Sequence, residues 1–151
     1  MERSNSIIKL TDVSKVYQMG SVKVKALLDV NLEIATGEFN VILGPSGSGK
    51  TTLLNLIGAI DTPTNGILSI MGEEITKLNR KGLSKFRREK IGFIFQFFNL
   101  IPTLTARENI EYAMQLQKNA INYDYIDEVL DKVGLKERSN HFPGELSGGE
   151  Q

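Results

Sequence analysis

Apolar and polar positions change their spacing several times along the 151 residues, and each change predicts an element. The apolar-rich runs Ile7 to Val13 and Val24 to Ile34 read as β-strands, with Gly20-Ser21 between them and Thr36-Gly37 after the second. Phe39 to Leu43 is a short apolar run bounded by glycines, the pattern of a buried strand. From Lys50 to Ile60 the spacing becomes helical, with Leu53, Leu54 and Ile57 on one face. Thr62 to Gly66 is a turn, Ile67 to Met71 a further strand, Leu83 to Glu89 a short polar helix, and Ile91 to Phe95 a strand. Thr105-Ala106-Arg107-Glu108 is a capping box opening a helix through about Gln117. In the next helix Ile126, Val129, Leu130 and Val133 recur at i, i+3, i+4 and i+7, and Gly134 stops it.

Composition narrows this little. At 40% hydrophobic and 24% charged, the chain is long and apolar enough to bury a core rather than stay disordered. Eighteen basic residues balance eighteen acidic ones, so nothing marks a nucleic-acid partner, which calls for a basic surplus. Without cysteine there is no disulfide, thiolate metal site or thiol nucleophile. Charges spread through the first thirty residues leave no signal-peptide core. The most apolar stretch, Ile91 to Ile101, is broken by Gln96 and Asn99 and falls well short of the ~20 residues of a membrane span. Membrane association is therefore expected only through a partner.

The chemistry concentrates in Gly44-Pro45-Ser46-Gly47-Ser48-Gly49-Lys50-Thr51, which fits Gly-x4-Gly-Lys-Ser/Thr at every position, and in Thr52 directly after it. Glycines let consecutive backbone N–H groups turn toward phosphate oxygens, and the following helix adds its positive end. In such a loop Lys50 reaches the β- and γ-phosphates, and the Thr51 hydroxyl ligates magnesium. The expectation is a nucleotide with Mg2+, and the loop by itself does not separate kinases, GTPases and transport ATPases; ATP follows from the resemblance described next. A second anion site is expected at Ser147, Gly148, Gly149 and Glu150, where a hydroxyl and exposed backbone N–H groups open a helix.

With both motifs in place, the chain resembles the nucleotide-binding domain of ABC transporters, most closely the branch of lipoprotein-releasing and macrolide-exporting ATPases. The likeness runs from Ile7 to Gln151 and includes Arg87-Arg88-Glu89-Lys90-Ile91-Gly92-Phe93 and Phe95-Gln96-Phe97-Phe98-Asn99-Leu100-Ile101-Pro102. It implies an α/β P-loop fold of ABC type: N-terminal antiparallel strands, part of a parallel core sheet, and helices. Residues 1–95 would belong to the ATP-binding core and 96–151 to the Q-loop and helical subdomain. The resemblance gives Tyr17 the role of stacking on adenine, with packing on the core as the alternative. It gives Gln96 contact with magnesium or the attacking water, and makes Ser147 to Glu150 the signature that meets the nucleotide of a second, head-to-tail copy. Phe97, Phe98, Leu100, Ile101 and Leu104 divide between core and the interface for a membrane permease. Arg87, Arg88 and His141 read as solvated surface.

The family also places a Walker B aspartate, a catalytic glutamate and a switch histidine after the signature. The sequence closes at Gln151, so the expectation for these residues is binding without turnover, and an exposed side on the strand before the phosphate loop. A cytoplasmic ATPase at the inner face of the membrane is implied. Alternatives are a soluble ABC ATPase or a non-catalytic nucleotide-binding module. The transported substrate is not legible.

Overall fold

The computed structural model describes residues 6–117 and 120–151. The chain divides into two compact units, the first ending at Gly92 and the second running from Phe93 to Gln151.

The first unit is built on a four-stranded antiparallel sheet in the order β2-β1-β3-β4. Its strands are β1 (Ser6–Met19), β2 (Val22–Ala35), β3 (Asn65–Ile70) and the short β4 (Glu73–Glu74). Central β1 carries a register shift between Leu10 and Val13 against β2 and another between Thr11 and Ser14 against β3. Gly66 faces that irregularity: a Cβ there would lie 2.3 Å from the Asp12 carbonyl oxygen, so only glycine lets β3 approach so closely.

Helix α1 (Lys50–Ile57) buries Leu56 against Leu10, Val13, Leu68 and Ile70, with Leu53 and Ile57 packed at the margin. Leu54, expected on that face, is 54% exposed; the buried stripe is Leu53, Leu56 and Ile57. Helix α2 (Arg80–Lys90) is capped by Asn79, whose side chain accepts from the Gly82 N–H, and buries Leu83 and Phe86. Arg87 is not simply solvated: its guanidinium donates to the Ala59 carbonyl at 2.6 Å and to Ser84 Oγ at 3.3 Å.

In the second unit α3 (Ala106–Leu116) opens on the expected capping box. Thr105 Oγ1 accepts from the Glu108 N–H, and Glu108 accepts from the Thr105 N–H. That last bond, with the Thr105 side chain, holds the Glu108 carboxyl below the usual carboxylate range. Helix α4 (Tyr123–Lys132) buries Ile126 and Leu130. At its end Gly134 N–H donates to Asp131 O and Leu135 N–H to Leu130 O, a Schellman closure.

Two expected strands do not form. Phe39 to Leu43 and Ile91 to Phe95 carry no ladder among the described residues. Phe39 is 93% exposed and Ile94 wholly so, whereas parallel strands are buried on both faces by neighbours. None of the four strands pairs with either segment, so the expected parallel core sheet is absent from the described residues and every ladder is antiparallel. Phe93 and Phe95 instead stack on each other, with ring centroids 5.4 Å apart.

Candidate nucleotide-binding site

The loop before α1 is shaped by its glycines. Gly47 and Gly49 lie in the left-handed region at φ 80° and 91°. A Cβ on Gly49 would meet the Ala26 carbonyl oxygen at 2.7 Å, so the loop turns into α1 directly over β2. The first intrahelical bond of α1 is Leu53 N–H to Gly49 O at 2.8 Å, and no side chain caps the helix. The N–H groups of Lys50, Thr51 and Thr52 therefore have no intrahelical acceptor and stand at the positive end of the helix. The Lys50 ammonium spans the loop, donating to the Gly44 and Pro45 carbonyls at 2.8 Å each. Ser48 N–H donates to Pro45 O, while Pro45 and Ser46 are exposed. A shallow cleft of about 220 Å³ follows Gly47 to Thr52 and is closed on one side by Val24, Lys25 and Ala26.

These groups suit a polyphosphate: backbone donors, a helix terminus and one ammonium. They also suit magnesium carried with it. Thr51 is exposed in the first turn of α1, and no group of three His, Cys, Asp or Glu able to hold a metal occurs among the described residues. Magnesium is commonly held by one or two protein oxygens together with phosphate oxygens and water rather than by a protein cage.

Tyr17 belongs to the same unit. It pairs with Val24 across the β1–β2 ladder, which places it beside the cleft. Its hydroxyl donates to Asp61 Oδ2 at 3.0 Å and lies in hydrogen-bonding reach of the Thr52 side chain. Lys15 Nζ donates to Asp61 Oδ1 at 2.6 Å and to the Thr62 carbonyl at 2.7 Å, and stands 4.9 Å from the Tyr17 ring centroid. Partial burial, then the bond to Asp61, raises the phenol above its ordinary range. Burial alone would raise the Asp61 carboxyl as well, but hydrogen bonds from Lys15, the Thr62 N–H and Tyr17 outweigh it and hold Asp61 low. Sequence reasoning missed Lys15 and Asp61. Asp61 directly precedes the Thr62 to Gly66 turn and carries no other local signal.

A depressed carboxyl stabilises the fold above its unfolded pKa, near 4, and that contribution is lost as pH falls through the folded value. Asp61→Asn removes the pH-linked share, so urea unfolding below about pH 4 should show a shallower acid loss in the variant than in the parent. Equal acid limbs would contradict the assignment.

In the second unit Gln96 is exposed and lies in a bend, not at the end of a strand. Phe97 and Phe98 are exposed at 75% and 53%, whereas Leu100, Ile101 and Leu104 are half-buried. Ser147 starts a helical turn, its carbonyl accepting from the Gln151 N–H at 3.1 Å. The Glu150 carboxylate folds back on Ser147, accepting from its N–H at 2.8 Å and its hydroxyl at 2.7 Å, and pairs with Arg138 at 3.3 Å. The Ser147 N–H and hydroxyl hold Glu150 below the ordinary carboxylate range. Gly148 and Gly149 are exposed, with Phe98 Cζ 3.9 Å from where a Gly148 Cβ would stand. His141 lies in a loop, its N–H on Arg138 O and its carbonyl accepting from Ala106.

Residues 27–151 match the ABC transporter family. The chain belongs to that family. It is 44% identical to an ABC transporter ATP-binding protein of Thermotoga maritima, over 96% of this chain and 63% of the relative. It is 45% identical to the macrolide export ATP-binding/permease protein MacB of Hyphomonas neptunium, over 96% of this chain and 23% of that protein. Among solved structures it resembles the dimeric, post-hydrolysis ATP-binding cassette MJ0796 bound to ADP and Pi, a protein of Methanocaldococcus jannaschii. There the TM-score is 0.83 at 44% identity, covering 95% of this chain and 64% of that one. The chain thus spans less than two thirds of the length of these relatives and is a partial cassette of α/β class. None of the described helices is long and apolar enough to cross a membrane.

Proposed function

We propose that the protein is the ATP-binding component of an ABC transporter, coupling Mg-ATP binding and hydrolysis in the whole cassette to a membrane permease. The observation that carries this is the phosphate loop: three N–H groups at the start of α1 without intrahelical acceptors, beside the Lys50 ammonium. These donors bind the β- and γ-phosphates and fix their orientation, Thr51 offers its hydroxyl to magnesium, and Tyr17 stacks on the base. Magnesium supplies neutralisation of the charge that develops on phosphoryl transfer. Gln96 serves the same nucleotide by orienting water. The signature turn at Ser147 to Glu150 serves the nucleotide of a second copy in a head-to-tail dimer. For that, the Ser147 hydroxyl must turn from Glu150 to the incoming phosphate.

The relatives support this reading by their printed names: MacB joins an ATP-binding part to a permease, and MJ0796 forms a dimer holding ADP and Pi. The exposed Phe97 and Phe98 after Gln96 suit a permease contact. The protein then acts from the cytoplasm, peripheral to the membrane.

The test is equilibrium binding of Mg-ATP. Tyr17→Ala should weaken it by roughly 1–3 kcal/mol, while Tyr17→Phe, which keeps the ring face, stays near the parent. A silent alanine would leave Tyr17 with its hydrogen bond to Asp61 and no part in holding the base. Copurification with a membrane permease separates the transport reading from a soluble ABC ATPase.

A further inference from the structure

Stacking on a base needs a ring face and not a phenol, yet the Tyr17 hydroxyl is held by a carboxylate that is itself held by the ammonium lying against the same ring. Tyr17 stands outside the core cluster and is not among the side chains packed on it, so apolar packing does not fix its orientation. The hydrogen bonds do. Tyr17 donates to Asp61 Oδ2, and Lys15 donates to Asp61 Oδ1 while standing 4.9 Å from the ring centroid. The ammonium occupies one face of the ring, which directs any planar partner to the other.

Asp61 is in turn fixed to α1. Its backbone N–H and that of Ile60 both donate to the Asn55 carbonyl, at 3.2 and 2.9 Å. Its Oδ1 also accepts from the Thr62 N–H at 2.7 Å. The turn it opens is stitched to β1 by Thr64 N–H to Ser14 O and Val16 N–H to Thr64 Oγ1. The helix whose first turn forms the phosphate cradle therefore carries, after its last turn, the group that anchors Tyr17.

We propose that Asp61 and Lys15 are positioning residues that lock the Tyr17 ring at a set place relative to the phosphate cradle, so that it receives the base of a nucleoside triphosphate. This rests on the base-stacking reading of Tyr17. Neither residue touches the nucleotide. They act by removing the two-torsion freedom of the ring before the base arrives, which would otherwise be lost on binding. A ring face reads no hydrogen-bond pattern, so the platform takes nucleoside triphosphates as a class.

Affinity for Mg-ATP and for magnesium tripolyphosphate, which has phosphates and no base, is measured on the same preparations, with the unfolding midpoint recorded for each. Asp61→Ala and Lys15→Met should weaken ATP roughly three- to tenfold through lost preorganisation and leave tripolyphosphate within about twofold. In a Tyr17→Ala background, Asp61→Ala should add nothing, because the ring it positions is gone. Asp61→Asn keeps the side-chain volume and an acceptor for the phenol but drops the ion pair, and should fall between parent and alanine. It carries the test with Lys15→Met if the alanine variant does not fold. Equal weakening of both ligands, or an Asp61 effect that survives without Tyr17, would overturn the proposal. If Tyr17→Ala lowers the ATP-to-tripolyphosphate ratio but the Asp61 and Lys15 variants do not, positioning alone fails. If Tyr17→Ala leaves that ratio unchanged, the base-stacking reading fails first.

Discussion

Lys50→Ala should weaken ATP binding at least about tenfold, some 1.4 kcal/mol, and leave the unfolding midpoint almost unchanged. Lys50 is the only side-chain cation within the Gly44–Thr52 loop. Its ammonium makes two hydrogen bonds to the loop's own carbonyls, at Gly44 and Pro45. Both residues are exposed, so in the variant water takes over as donor and the folded state loses little. A bound triphosphate has no such substitute, because the remaining donors are neutral N–H groups and bonds between charged partners are about twice as strong. Titration with a fluorescent ATP analogue, alongside urea unfolding, separates the two effects. Equal affinities would remove the phosphate-loop assignment, and a large loss of stability would mean that the lysine is structural.

The parts of the molecule that could be read from sequence are those written in near neighbours. The phosphate loop is eight consecutive positions, Gly44 to Thr51, whose fixed residue types follow from the anion they face. Thr105 and Glu108 form their capping box across three residues, and the α4 stripe, of which only Val133 is exposed, and its Gly134 stop are equally local. What the sequence left open depends on pairing. An apolar run such as Phe39 to Leu43 or Ile91 to Phe95 has the composition of a strand, but a strand exists only with a ladder partner, and periodicity does not report partners. Gln96 lost its expected setting with the second of these segments. The Tyr17 anchor was invisible for a related reason: its bonds to Asp61 and those of Lys15 span 44 and 46 residues. Nothing local distinguishes that aspartate from one that merely opens a turn.

Gly49→Ala should be the most damaging single change in the loop, lowering stability by about 2–3 kcal/mol and ATP affinity by more than roughly tenfold. Two costs meet at this position. The backbone sits at φ 91°, where a Cβ is strained. The added carbon would also lie 2.7 Å from the Ala26 carbonyl oxygen and 2.9 Å from Leu27 Cδ2. Leu27 belongs to the buried core and Ala26 to β2, whose ladder with β1 anchors this edge of the sheet, so neither neighbour can yield cheaply. The residue that can move is Gly49 itself, and with it the first turn of α1 and the N–H groups of Lys50, Thr51 and Thr52. Gly47→Ala is the control. Its φ of 80° carries the same kind of strain, but nothing lies within 4 Å of the new Cβ. Strain alone should cost that variant about 1–2 kcal/mol and leave the start of α1 in place. Urea unfolding and ATP titration of both variants resolve the difference. If Gly49→Ala matches Gly47→Ala on both measurements, the close approach to β2 does not set the position of the cradle. If it loses affinity beyond what its stability explains, the fan of N–H groups over β2 is what holds the phosphates.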